Sequence, residues 1–233
     1  MIKFNKNTFI GDILCHIYLI ILSIVAVFPF IWILLCSVKT NIELTSYPTN
    51  LLPKNFTLDN FIHVIKDLEF SKNIGNSVII ALFTTTIAII ISSMAAYGIV
   101  RFFPKLGKIM SKALITTYLF PPILLAIPSS LVMAKFGLVN TRIGLVIVYL
   151  SFSVPYAVWM LVGFFKTVPI EIEEAARVDG ANKFQVFISI VLPLVAPGIV
   201  ATAIYTFINA WNEFLYALIL INSAEMMTVS VKF

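Results

Sequence analysis

The sequence is short of charge. Only 12% of its 233 residues are Asp, Glu, Lys or Arg, against about 25% in ordinary soluble domains. A disordered chain needs high charge and low hydrophobicity, so that class is excluded. Cysteine is nearly absent. Cys15 and Cys36 would lie about 31 Å apart on one helix, so they cannot pair with each other, and they read as small buried hydrophobes. The two histidines, His16 and His63, stand alone and show no metal spacing. Lysine and arginine outnumber the acids, 16 to 11, but they are spread thinly and build no basic helix face. That excludes a nucleic-acid partner. What remains is apolar, at 60% of residues with a mean hydropathy of +1.01. A soluble fold of this size still needs a polar skin, so lipid must be the solvent for most of the surface. This is an integral membrane protein.

A crossing of about 30 Å of hydrocarbon takes roughly 20 apolar residues. Five runs qualify, at about 13–36, 77–100, 109–133, 143–165 and 190–221. The first is too long for the apolar part of a signal peptide and reads as a retained span. The fifth is too long for one straight crossing. Arg101, Lys105, Lys108 and Lys112 crowd one short connection without an acid, and Lys3 and Lys6 precede the first run. In the longer segment 39–76 four lysines balance Glu43, Asp59, Asp67 and Glu69. The positive-inside rule then puts the N-terminus, the 101–112 connection and the 166–183 connection in the cytoplasm. Pro121, Pro122, Pro128, Pro155, Pro193 and Pro197 interrupt the runs, which membrane helices tolerate where neighbours or cavities satisfy the freed carbonyls. Ser92, Ser93, Ala95, Ala96 and Gly98 suit close helix packing. The expected fold class is all-α, a polytopic transmembrane helical bundle.

The connection 166–189 is the most polar part of the chain. Glu171, Glu173 and Glu174 gather where acids complement a helix dipole. Asp179-Gly180 then breaks the helix, and a second helix starts near Asn182. Phe184, Phe187, Ile188 and Val191 follow at i, i+3, i+4 and i+7, predicting one apolar face. Two short helices with a sharp corner result. Such an object either rests in the headgroups or docks on a soluble partner. Ala175 and Ala176 leave a thin edge for entering a cleft, and Glu174 beside them offers a charge. An acidic helix start matches anionic headgroups poorly, which favours protein docking.

Glu174-Ala175-Ala176, three residues, Gly180, nine residues, Ile190, one residue and Leu192-Pro193 resemble the signature loop of permease subunits of binding-protein-dependent ABC importers. The flanks YPTNLLPKNFTLDNF, SKNIGNSVIIA and FINAWNEFLYALIL are similar to the carbohydrate group, in particular to the second permease of the maltose type. The resemblance implies a single transmembrane domain over 1–233 of the type I importer kind, in a bacterial inner membrane. It further implies a heterodimeric pore with a related permease, a cytoplasmic ATPase dimer and an external sugar-binding protein. Glu174, Ala175, Ala176, Arg177, Asp179 and Gly180 would then form the contact with the ATPase. ATP and magnesium would belong to that partner, because this chain holds no GxxxxGK[ST] phosphate loop and is expected to bind no cofactor. Family members continue into a sixth span, whereas this sequence stops at Phe233, so five of an expected six spans are present and the chain reads as truncated.

Polar residues within the runs are few. Glu213 is placed about 34 Å along a helix from Ile190, near the outer boundary, where an acid is either solvated or functional. Asn212 neighbours it, and Tyr205 and Asn209 lie nearer the membrane interior as candidates for the translocation pathway. A stand-alone secondary transporter or channel is the alternative reading, though the sequence has no visible internal repeat. A membrane-embedded enzyme would need a catalytic set, such as His with Ser or paired Asp, that these runs do not contain.

Overall fold

The computed structural model describes residues 6–47, 50–66 and 70–232, without the side chains of 6–10, 104–106, 108 and 111. Lys3, Asp67, Glu69 and Phe233 therefore lie outside the described residues, as do the side chains of Lys6, Lys105 and Lys108. Helices make up the fold, with no strand among the described residues. They fall into two compact units divided between Phe70 and Ser71.

The first unit opens with α1 (Lys6–Ser37), which carries a 27-residue apolar stretch, Gly11–Ser37, long enough to cross a bilayer. None of its most apolar window is buried. Cys15 is accordingly exposed rather than buried as expected, because its face of α1 is uncovered within the described residues of the first unit. Two short helices follow, α2 (Asn41–Thr45) and α3 (Asp59–Lys66). Between them Glu43, 8% exposed, accepts the backbone N–H groups of Lys54 at 3.2 Å and Asn55 at 2.8 Å. Lys39 is buried with its Nζ donating to the Asn50 carbonyl at 2.5 Å and lying 4.8 Å from the Trp32 ring. A buried charge is tolerable only when paired in this way. The polar segment after α1 is thus a hydrogen-bonded knot.

The second unit begins with α4 (Phe70–Arg101), 32 residues without a proline. Then come α5 (Pro104–Tyr118), α6 (Pro122–Lys135), α7 (Arg142–Phe165) and α8 (Ile170–Val178). A compound helix follows, made of α9 (Lys183–Gln185), a π-helical turn (Val186–Val191) and α10 (Leu192–Leu194). The remaining helices are α11 (Ala196–Asn212), α12 (Leu215–Leu220) and α13 (Val229–Lys232). Helix α7 is central and packs against α5, α11 and α12. Lipid tails are as apolar as leucine, so helices associate in a bilayer by close packing and hydrogen bonds rather than by hydrophobic exclusion. Ala81, Ala88, Ser92 and Ala96 of α4 are fully buried, which lets its neighbours approach closely. One apolar cluster surrounds Tyr97, Leu161, Phe165, Val186 and Val191. A second surrounds Ile80, Leu145, Tyr149, Tyr216 and Leu220.

The expected third span, 109–133, is a broken one. Helices α5 and α6 meet at 88° across Leu119–Pro121. Pro121 and Pro122 remove two consecutive backbone donors, so the helix stops and restarts with Pro122 in its first turn. The expected fifth span, 190–221, breaks as well. The helix Lys183–Leu194 meets Ala196–Asn212 at 75°, and the chain breaks again at Glu213 before α12. The expected apolar face of Phe184, Phe187, Ile188 and Val191 is also revised. The π-helical turn inserts one residue into the helical repeat, which buries Val186, Phe187 and Val191 and leaves Phe184 and Ile188 exposed.

The turn into α7 is packed to contact. Thr141 Oγ1 donates to the Leu138 carbonyl at 2.7 Å and accepts the Gly144 N–H at 3.0 Å. A Cβ at Gly144 would lie 2.2 Å from the Leu138 oxygen, a backbone atom with nowhere to move. Gly144→Ala is therefore expected to destabilise the fold by about 1–3 kcal/mol, the range for overpacking. Thermal unfolding of the detergent-purified protein measures it, with Gly163→Ala as control, where a Cβ meets nothing within 4 Å.

Candidate functional site

Two regions gather the polar side chains singled out in the sequence. The first is the corner between α8 and α9. Its exit from α8 is a Schellman motif: Ala181 N–H donates to the Ala176 carbonyl at 3.0 Å and Gly180 N–H to the Arg177 carbonyl at 3.1 Å. This closure needs a left-handed residue, and Gly180 supplies it with φ +92°. The entry to α9 is a capping box. Asn182 Oδ1 accepts the N–H groups of Phe184 and Gln185 at 3.0 and 2.9 Å, and Gln185 Oε1 accepts the Asn182 N–H at 2.8 Å. The corner is thereby fixed on both sides.

Glu174, Ala175, Arg177, Asp179 and Gly180 are exposed along this corner. Ala176 is not. It is buried in the apolar cluster beside Val186 and Phe187, so the expected thin edge of two alanines is reduced to Ala175. The acids divide too. Glu171 and Glu174 are exposed, whereas Glu173 is 0% exposed and does not act as a surface dipole partner. Arg101 Nε donates to its Oε1 at 2.5 Å and Tyr97 OH to its Oε2 at 2.7 Å. Arg101 Nη2 also donates to the Val168 carbonyl at 2.7 Å. Burying a carboxylate is costly without a charged partner and hydrogen bonds, and this one has both. The end of α4 therefore grips α8 at its first turn and at the strand of chain leading into it. The Tyr97 ring is held in place by Phe102, Phe165 and Phe187, with centroids 4.9–5.9 Å away. Sequence reading missed Arg101, Tyr97 and the separate role of Glu173. The one available signal was an arginine ending an apolar span with no acid near it in the chain.

The second region is a cavity of about 670 Å³ between the α5–α6 bend, the middle of α7, and the end of α11 with the start of α12. It collects all four pathway candidates, Tyr205, Asn209, Asn212 and Glu213, and adds Tyr118, Tyr156 and Ser153, which sequence reading did not select. Tyr156 and Tyr205 stack with centroids 4.2 Å apart and planes 27° apart. The hydroxyls of Tyr118 and Tyr205 lie 2.8 Å apart, and the Tyr118 ring lies 5.1 Å from that of Tyr156. Asn209 Nδ2 donates to the Tyr205 carbonyl at 2.9 Å. Glu213 is not simply a boundary acid. Its carboxylate accepts the N–H of Tyr216 at 3.0 and 3.1 Å and that of Ala217 at 3.2 Å, so it caps the start of α12. A negative group suits that position because the helix start exposes unpaired N–H groups.

A bundle of several helices long and apolar enough to cross a bilayer, with a polar-lined cavity beside a broken span, has the form of a multi-pass membrane permease. The chain belongs to the family of binding-protein-dependent transport system inner membrane components, whose family model matches residues 88–232. It is thus a permease subunit of an ABC importer, a transport component and not an enzyme. It is 37% identical, over 88% of its length and 74% of the relative's, to the trehalose transport system permease protein SugB of Mycobacterium tuberculosis. It is 35% identical, over 97% and 79%, to the sulfoquinovosyl glycerol transport system permease protein SmoH of Agrobacterium fabrum. The fold is similar to a chain in the crystal structure of a bacterial ABC transporter that imports alginate, with a TM-score of 0.83, 23% identity and coverage of 99% of this chain and 81% of that one.

Proposed function

We propose that this chain forms half of the translocation pore of an ATP-driven sugar importer and couples to a separate ATPase through the corner at Gly180. The other half is a second, related permease, and an external sugar-binding protein delivers the cargo. The observation that carries this reading is the corner itself. It presents Glu174, Ala175, Arg177 and Asp179 outward on a support capped at both ends and clamped to α4 by Glu173 and Arg101. A surface that must transmit force to the spans needs that rigidity, since a loose loop would absorb the motion. ATP and magnesium belong to the ATPase dimer. Its closure moves the docked corners, and the spans shift between inward- and outward-facing states whose populations the nucleotide biases.

The lysine and arginine distribution supports a cytoplasmic location for the corner and the N-terminus. The names of the relatives favour a carbohydrate or glycoside as cargo. The test is to co-express the chain with the transport genes beside it and measure sugar-stimulated ATP hydrolysis in vesicles. Glu174→Lys reverses the charge on the exposed edge. It is expected to lower stimulated hydrolysis at least tenfold while the protein stays in the membrane at the normal level. Unchanged stimulation in that variant would overturn the coupling role.

A further inference from the structure

The cavity has a chemistry of its own. Ser153 is 5% exposed, lines the cavity, and its Oγ has no hydrogen-bond partner among the described residues. A buried hydroxyl left unpaired is unfavourable, so this one is poised for a hydroxyl arriving from the cavity. The stacked pair Tyr156 and Tyr205 and the tilted Tyr118 ring give flat apolar walls, and the paired hydroxyls of Tyr118 and Tyr205 keep further donor and acceptor capacity. Asn209 keeps its amide oxygen as an acceptor after donating to Tyr205. None of the described residues around the cavity is lysine, arginine or histidine, and the one formal charge is the Glu213 carboxylate.

Resting on the proposed import of a sugar, we infer that this chain itself carries a cargo subsite, and that the subsite takes an uncharged, ring-bearing polyol and rejects anions. Aromatic walls select the C–H face of a pyranose ring. Ser153, Asn209 and the tyrosine hydroxyls satisfy its equatorial hydroxyls. A sulfonate or phosphate entering the cavity would lose its water, meet no cation and face Glu213. Unpaired charge in a low-dielectric site is strongly disfavoured, and a like charge adds to the penalty.

The whole importer in vesicles is first offered maltose, trehalose, sulfoquinovosyl glycerol and glycerol 3-phosphate, and ATP-driven uptake is compared. Failure to take up any of them would count against the sugar-import reading and, with it, this one. The cargo taken up fastest is then converted to a diazirine photoprobe and cross-linked in the same complex without its binding protein. Labelled peptides are expected from α7 and α11 of this chain. A tenfold excess of the neutral sugar should suppress the labelling, and the same excess of glycerol 3-phosphate should not. Tyr156→Ala should reduce labelling at least tenfold, and Tyr156→Phe, which keeps the ring, should reduce it less than threefold. Four results would overturn the subsite while leaving the importer reading intact: fastest uptake of an anionic cargo, labelling confined to the other permease, equal competition by the phosphate, or labelling indifferent to Tyr156→Ala.

Discussion

Arg101→Ala is expected to release α8 from the bundle and to reduce ATP-driven uptake more than tenfold. The substitution leaves the Glu173 carboxylate buried with Tyr97 as its remaining close donor and with Arg177 4.0 Å away, its side chain 45% exposed. It also strips the Val168 carbonyl of its donor. Removing one partner of a buried ion pair costs about 3–5 kcal/mol, most of it from the charge left behind. At about 1.4 kcal/mol per factor of ten, the detached state rises in population roughly a hundred- to a few thousand-fold. Limited proteolysis after Arg177 in the purified complex reads that population directly. The double variant Arg101→Ala with Glu173→Gln should recover part of the protection, because it no longer buries an unpaired charge. Cleavage at the wild-type rate in Arg101→Ala would show that the pair does not hold the corner.

Gly180→Pro acts on the same corner by a different route. Proline fixes φ near −65°, whereas Gly180 stands at +92°. The ring also removes the N–H that donates to the Arg177 carbonyl, and it disfavours the near-helical conformation of Asp179 before it. The Schellman closure cannot form, and a cost of about 3 kcal/mol or more falls on a segment of few residues. The expected result is loss of sugar-stimulated ATP hydrolysis with near-normal insertion in the membrane. Gly180→Asn is the control, since asparagine visits left-handed conformations, and it should keep most of the stimulation. If proline and asparagine behave alike, the left-handed turn does not matter for coupling.

Class and corner were legible in the sequence for simple physical reasons. A chain with so little charge has no other solvent than lipid, and Asp179-Gly180 followed by Asn182 is a local stop and start that needs no tertiary contact. The inward turn of Glu173 was not legible. It depends on Arg101, 72 residues earlier, and three neighbouring glutamates look alike until one face of α8 meets α4. The π-helical turn escaped for a related reason. Its extra residue is set by the packing of Val186 and Val191, while periodicity alone assumes 3.6 residues per turn. Nothing local marks Tyr118 and Tyr156, because the Tyr118 side chain reaches Tyr156 and Tyr205 beside the bend at Leu119–Pro121. Glu213 looked like a boundary acid because a continuous helix was assumed where the chain restarts at α12.

Helix α4 joins two distant attachments. At one end Arg101 holds the corner through Glu173. At the other, Asn73 and Asn76 donate to the carbonyls of Met227 and Glu225 at 2.9 and 2.8 Å, and Ser77 accepts the Val229 N–H at 2.9 Å. Between them run 24 to 28 residues of helix, about 36–42 Å at ~1.5 Å per residue, with no proline to let it flex. Such a rod is a lever. Pivoting about one end by ~5° sweeps the other through roughly 3–4 Å, the rise of two or more helical residues. If the corner tilts α4 as proposed, a displacement too small to break any contact at Arg101 would reach the far end as a shift large enough to exchange one hydrogen-bond partner for the next.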